Sequence, residues 1–340
     1  MRPGAEDDGR ALPLGAHGQR DGAAPLQFRG RPRLLTPHPA RDAVWLDLLD
    51  GTTEEKARVA EATGFRVPTL DLLQEIESSS RMAAEGDTLY LSLPAIARTG
   101  DDRPVLTPLG IVLSPRHLLT VRFAAVGAVE AMAARPGPPT GSFGTFVTLL
   151  EVLVDRIADA LERLRAELDT LSRAAFEAEM PVHNRPAAMD RRLRLALRAI
   201  GRTGDHVSVL RDTLLGVERI LPFAADQAKH WMPPEFDDRV RTLRQDIASL
   251  NDYDARLSDK VQFLLDATLG FISIEQNNTI KILTVVSVVG IPPTLVASIY
   301  GMNFKYMPEL DWLWGYPWGL ALIALSAIAP LVLFRVKGWL

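Results

Sequence analysis

Hydrophobic and polar positions are arranged in four different ways along this 340-residue chain, and each arrangement predicts its own kind of structure. Residues 1–32 are rich in Gly, Pro, Ala, Arg and Asp and show no period. They are expected to be a disordered tail, since no apolar stretch of about 7–15 residues marks a secretory signal. Over residues 33–135 short alternating runs predict an α+β domain. Strands are expected at residues 43–48, 88–97, 105–113 and 117–123 of a mostly antiparallel sheet, and helices at 53–63 and 69–76, the first opened by Thr-Thr-Glu-Glu. The run Arg135-Pro136-Gly137-Pro138-Pro139-Thr140-Gly141 then breaks the pattern.

Beyond it the period becomes helical. Leu150, Val154, Ile157, Leu161, Leu164, Leu168 and Leu171 alternate spacings of four and three, the mark of a long coiled-coil-like helix. Pro181 and Pro186 mark a turn, and a returning helix completes an antiparallel pair over 144–232. A third helix starts after Pro233-Pro234 with Val240, Leu243, Ile247, Leu250, Leu257, Val261, Leu264 and Phe271 in register, interrupted by Asp254 and Thr268 where apolar residues are due. No stop signal follows, so residues 234–300 are expected to form one stalk helix.

The fourth pattern is the absence of charge. Ile282 to Tyr300 gives 19 uncharged residues and Trp312 to Phe334 gives 23. About 20 apolar residues at ~1.5 Å rise cover a bilayer core, so two transmembrane helices are expected, at 282–300 and 312–335, joined by an external hairpin at 301–311. Lys281, Arg335 and Lys337 flank the spans on one side, which places both termini in the cytoplasm, with 336–340 ending the chain at the inner interface. The layout is that of a multi-pass protein of the inner (plasma) membrane.

Within the first span Thr284, Ser287, Ile291, Thr294 and Ser298, preceded by Asn277, follow gaps of 7, 3, 4, 3 and 4 and share one helix face. Three readings stand. The hydroxyls bond back to carbonyls four residues earlier, the face packs another helix, or it faces water. Pro292-Pro293 deletes two backbone donors in mid-span, which is tolerated where other groups or water compensate. Two spans cannot enclose an ion pathway, so a pore requires several copies of the chain around a common axis.

Composition narrows the chemistry. There is no cysteine, which removes disulfides, thiolate metal sites and thiol nucleophiles. A net charge of -4 gives no nucleic-acid footprint, and mean hydropathy of +0.05 suits a large polar part joined to a small membrane part. The six histidines have no metal-ligand spacing, and no phosphate loop or nucleophile elbow occurs, so neither an enzyme nor a cofactor is expected. Gly315 and Gly319 read as hairpin geometry in preference to a helix-pairing motif.

Tyr300-Gly301-Met302-Asn303 after a Pro-Pro-bearing hydrophobic helix, followed by Met307-Pro308-Glu309-Leu310 and a second helix closing at Trp339-Leu340, resembles the CorA magnesium transporter family. Gly270-Phe271-Ile272-Ser273-Ile274-Glu275-Gln276-Asn277 is similar to the segment leading into the pore helix of its proteobacterial members. The resemblance is specific over residues 261–340 and looser upstream. It implies a homopentameric funnel, the first span lining the pore and Gly301, Met302 and Asn303 forming the mouth. Asn277 and Thr294 match pore-facing polar positions, and Leu283 and Ile291 match apolar constrictions. The transported ion would be Mg2+, with Co2+ and Ni2+ as secondary ions.

Five amide oxygens of Asn303 can accept hydrogen bonds from the waters that Mg2+ releases reluctantly, without binding as tightly as carboxylates. Glu309 and Asp311 are candidates for concentrating cations outside. Asp252, Asp254, Asp259 and Asp266 are candidates, by chemistry only, for sensing cytoplasmic metal. The basic collar Arg335-Val336-Lys337-Gly338 is thinner than in many relatives. Two alternatives remain: a ZntB-like zinc transporter on the same scaffold, and a membrane-anchored coiled-coil sensor or scaffold that moves no ions.

Overall fold

The computed structural model describes residues 26–29, 43–75, 81–98, 104–134, 141–176, 186–303, 305 and 307–338. These divide into two compact units. The first comprises residues 1–165 and 205–257, the second 166–204 and 258–340.

The first unit is built on a six-stranded mixed sheet of order β1-β2-β6-β5-β4-β3. Its strands are β1 (Leu26–Arg29), β2 (Trp45–Leu49), β3 (Met82–Glu85), β4 (Thr88–Arg98), β5 (Pro104–Leu113) and β6 (Leu118–Arg122). β2 runs parallel to β1 and β6, and the other three pairings are antiparallel. The expected strands and the mostly antiparallel pairing are present, and β1 corrects the expected tail. Leu26-Gln27-Phe28-Arg29 alternates with period two and extends the sheet through Leu26 opposite Leu46, which four residues in a Gly/Pro-rich stretch did not signal. The rest of that tail lies outside the described residues, as do the turn at 99–103 and the terminal Trp339 and Leu340.

β3 was also unforeseen. Gly86 and Asp87 form a two-residue turn that pairs Glu85 with Thr88, and Gly86 takes the left-handed φ of 59° that such turns demand.

The strand alternation separates two chemistries. Leu46 and Leu48 of β2, Val112 of β5 and Leu119 and Val121 of β6 join Val59, Phe65 and Leu73 in one core. Those last three belong to helix α1 (Thr53–Thr63), the loop after it and helix α2 (Leu70–Gln74). α1 starts where expected because Thr52 Oγ1 accepts from the Glu55 amide at 3.2 Å while Glu55 Oε2 accepts from the Thr52 amide at 2.8 Å. It stops at Gly64, whose φ of 75° suits a residue without a side chain.

The other face of β2 and β6 buries a polar network. Arg122 donates to both oxygens of Asp47 (Nε at 3.1 and 3.2 Å, a terminal nitrogen at 2.8 Å), and both side chains are at most 2% exposed. Thr120 donates to Asp47 Oδ1 at 2.7 Å and accepts from Trp45 Nε1 at 3.1 Å, so the buried carboxylate is fully engaged. A short helix, α3 (Gly127–Ala133), follows β6.

Three long helices come next: α4 (Gly141–Phe176), α5 (Pro186–Gln227) and α6 (Phe236–Tyr300). The heptad seam residues Leu150, Val154, Ile157, Leu161, Leu164 and Leu168 of α4 are all buried, as are Val240, Leu243, Ile247, Leu257, Val261 and Leu264 of α6. α4 and α6 run parallel: Arg239 clasps Glu151 at 3.0 and 2.6 Å in the first unit, and Lys260 pairs with Asp169 in the second. α5 runs the other way, joined by Arg211 to Asp254 at 2.6 Å and by close approach of Gly204 to Val261. A 3-10 turn at Pro308–Asp311 and helix α7 (Gly315–Val336) end the described chain.

Candidate ion pathway

α6 continues through Gly270 and Pro292-Pro293 without interruption, so every residue of the polar stripe is fixed to one rod. Its apolar window has mean hydropathy 2.1 and that of α7 has 2.2, and no part of either window is buried. Both are long and apolar enough to cross a membrane. Along α6, Asn277, Thr294 and Ser298 are exposed, Thr284 and Ser287 half-buried, and Leu283 and Ile291 exposed. Apolar and polar positions alike are thus uncovered within one protomer.

The hydroxyls have a definite polarity. Thr284 donates to the Ile280 carbonyl at 2.8 Å, Thr294 to that of Gly290 at 2.8 Å, and Ser298 to that of Thr294 at 2.7 Å. Back-bonding to the helix is therefore present, and it does not compete with a wet face. Each hydroxyl has one proton and two lone pairs, so committing the proton inward leaves an oxygen that can only accept. Pro292 and Pro293 supply no amide hydrogens to the Val288 and Val289 carbonyls four residues earlier, which adds acceptors in mid-span.

The hairpin closes tightly after the span. The Gly301 amide donates to the Ala297 carbonyl at 3.0 Å and the Met302 amide to that of Ile299 at 3.2 Å, which ends α6 and leaves Asn303 exposed just beyond it. Glu309 and Asp311 are exposed in the 3-10 turn. Gly315 has a local reason for being glycine: a Cβ there would lie 2.0 Å from the Glu309 carbonyl oxygen. At Gly319 a Cβ would meet nothing within 4 Å. Hairpin geometry thus accounts for one glycine of the pair.

Of the candidate sensing acids, Asp252, Asp259 and Asp266 are exposed, Asp266 accepting from Gln262 at 3.0 Å. Asp254 is 2% exposed, one oxygen paired with Arg211 and the other without a hydrogen-bond partner. Burial pushes its carboxyl above the usual carboxylate range against the opposing pull of Arg211. Among the described residues no three acids or histidines converge within the chain.

A family model described as CorA-like Mg2+ transporter protein matches residues 40–337. The chain belongs to the CorA-like Mg2+ transporter family. It is 34% identical to the magnesium transport protein CorA of Pasteurella multocida, covering 88% of this chain and 92% of that one. It is 32% identical to the CorA of Escherichia coli K12, over 89% and 93% respectively. Among solved structures, the complete CorA magnesium transporter of Methanocaldococcus jannaschii has a TM-score of 0.65 at 22% identity, covering 87% of this chain and 91% of that one. The full-length CmaX protein has a TM-score of 0.64 at 19% identity, covering 87% and 88%. These structures share the α+β domain, long helices and two C-terminal apolar helices with this chain. CorA family members are membrane transporters of ions, in agreement with the expectation that the chain is no enzyme.

Proposed function

We propose that this CorA family member is a homopentameric Mg2+ channel of the inner membrane, with cytoplasmic termini and a pore walled by five copies of α6. The observation that carries the proposal is a stripe in which the Thr284, Thr294 and Ser298 hydroxyls can only accept, leading up to Asn303. A hydrated Mg2+ ion turns the hydrogens of its water shell outward, so a wall suited to it presents oxygens as acceptors and no bound anions. Thr284, Thr294 and Ser298 meet that requirement because their protons are spent on the helix. Asn277 and Ser287 add polar positions to the same wall, Leu283 and Ile291 form hydrophobic constrictions that close by dewetting, and Gly301 and Met302 hold the Asn303 ring at the mouth. Glu309 and Asp311 gather cations outside it.

The membrane potential drives entry, contributing about 2.3 kcal/mol per charge per 100 mV and twice that for a divalent ion. Co2+ and Ni2+ are secondary ions. Asp252, Asp259 and Asp266 are exposed for metal sensing and, among the described residues of one chain, complete no ligand set, so a metal there takes ligands from a neighbouring copy. The zinc alternative gains no support from the curated relatives, which carry the name magnesium transport protein.

The test is Mg2+ flux into liposomes containing the purified protein. Asn303→Ala removes acceptors whose hydrogen bonds are worth about 1 kcal/mol each, and flux is expected to fall about tenfold or more. Unchanged flux would remove Asn303 from the mouth. Zn2+ outcompeting Mg2+ in the wild type would overturn the choice of ion.

A further inference from the structure

The start of α7 carries an aromatic cluster that the transport reading does not use. Trp312, Leu313, Trp314, Tyr316 and Trp318 follow one another closely, and their exposures run from 49% for Trp318 to 94% for Leu313. The segment is held in one shape. The Trp318 amide donates to the Trp314 carbonyl at 2.9 Å, the Trp312 and Trp318 rings lie 6.4 Å apart between centroids, and the Glu309 carbonyl fills the space where Gly315 would carry a Cβ. Among the described residues, neither the three indole N–H groups nor the Tyr316 hydroxyl has a hydrogen-bond partner. Large rings left this open on a fixed frame, each with a polar edge to satisfy, call for a partner that is apolar and wet at once.

Placement along and around α7 decides what that partner is. Trp314 and Trp318 stand one turn apart on the same side, and Tyr316 is about 160° round the axis from both. A packed helix covers one side only, whereas a headgroup layer surrounds the axis. From Trp314 to Trp318 the cluster is about 6 Å deep, which matches the interfacial layer of about 5–7 Å on each side of the hydrocarbon. Residues 319–334 then hold no charge, no Trp and no Tyr before Arg335. The nineteen residues from Tyr316 to Arg335 make about 28 Å of helix, close to the ~30 Å hydrocarbon core.

We infer that Trp312, Trp314, Tyr316 and Trp318 form a collar seated in the phospholipid headgroup layer of the leaflet opposite Arg335 and Lys337, with Leu313 entering the same layer. The indole N–H groups and the Tyr316 hydroxyl donate to lipid ester and phosphate oxygens while the ring faces rest on the upper acyl chains. The collar moors the turn that carries Glu309 and Asp311, and so fixes the height of the hairpin at the bilayer surface. The inference rests on α7 spanning a membrane and is independent of which ion the protein passes.

Intrinsic fluorescence of the full-length protein tests it. Wild type and the Trp312→Phe/Trp314→Phe/Trp318→Phe variant are reconstituted in phosphatidylcholine vesicles brominated either just below the glycerol or near the acyl-chain ends. Trp45, Trp231 and Trp339 are common to both proteins and cancel in the difference. The hairpin share is expected to lose about twofold more intensity to the shallow bromines than to the deep ones, because the collar lies at the edge of the hydrocarbon. Stronger quenching by the deep bromines overturns the inference. Emission that neither lipid quenches also overturns it, placing the rings in water if aqueous iodide reaches them and against a neighbouring copy if it does not. Flotation with the vesicles reports insertion separately, so a protein that never inserts defeats the membrane reading and is told apart from a misplaced collar. Because the chain has no cysteine, a bimane on Leu313→Cys with every indole kept gives the same ranking without the phenylalanine substitutions, and the reverse ranking there overturns the inference equally.

Discussion

At the scale of single residues, Asp47 and Asp254 are buried carboxylates held in different ways. Asp47 is saturated by Arg122 and Thr120, so removing its cation by Arg122→Met strands a charge in the sheet and is expected to cost about 3–5 kcal/mol. The melting temperature of the solubilised protein reports it, and a variant as stable as wild type would deny the pair its structural role. Asp254 is different, because burial outweighs its pairing with a half-exposed Arg211. Its folded pKa lies above the unfolded value of about 3.9, so the native state holds the proton more tightly. Stability from this site is full below the unfolded pKa and is lost as pH rises through the folded one. Asp254→Asn is therefore expected to melt at or above wild type at pH 7, with the difference shrinking towards pH 4. A less stable variant whose deficit ignores pH would refute this. Asp254 was legible in the sequence as a polar residue in an apolar register, whereas the Asp47–Arg122 pair was not, because partners 75 residues apart meet only through strand pairing.

At the scale of elements, what was readable depended on local punctuation. α1 is bounded by Thr52, Glu55 and Gly64, whose side chains or lack of one act within a single turn, and its limits were evident. β1 and β3 are four-residue strands on the sheet edges, too short for a period to register, and α3 opens without a side-chain cap. The polar stripe was visible as spacing, but the direction of its hydroxyl protons is three-dimensional information. The hairpin supplies a prediction at this scale. Gly315→Ala forces backbone apart at Glu309 and is expected to destabilise the hairpin by about 1–3 kcal/mol and to reduce Mg2+ flux, while Gly319→Ala, in open space, leaves both unchanged. Equal behaviour of the two variants in a paired melting and flux measurement would show that the close approach is unimportant.

For the whole molecule, the order of domains and the two spans followed from the change of hydrophobic period, because the 2.0, 3.5 and uncharged patterns each admit one solution. The number of subunits did not, since the faces that meet across copies look in one chain like ordinary exposed helix.

Within the second unit α6 extends unbroken from the buried seam residues Val261 and Leu264 to Asn303's doorstep, so seam and stripe share one angular phase. Adding a single residue after Gln276 turns everything beyond it by about 100°, whereas seven added residues return within about 20° of the original heading at the expense of a displacement near 10 Å. A one-residue insertion is therefore expected to silence Mg2+ flux in liposomes more completely than a seven-residue one. The reverse ranking would mean that the stripe's compass bearing is set locally in the bilayer and owes nothing to the bundle beneath.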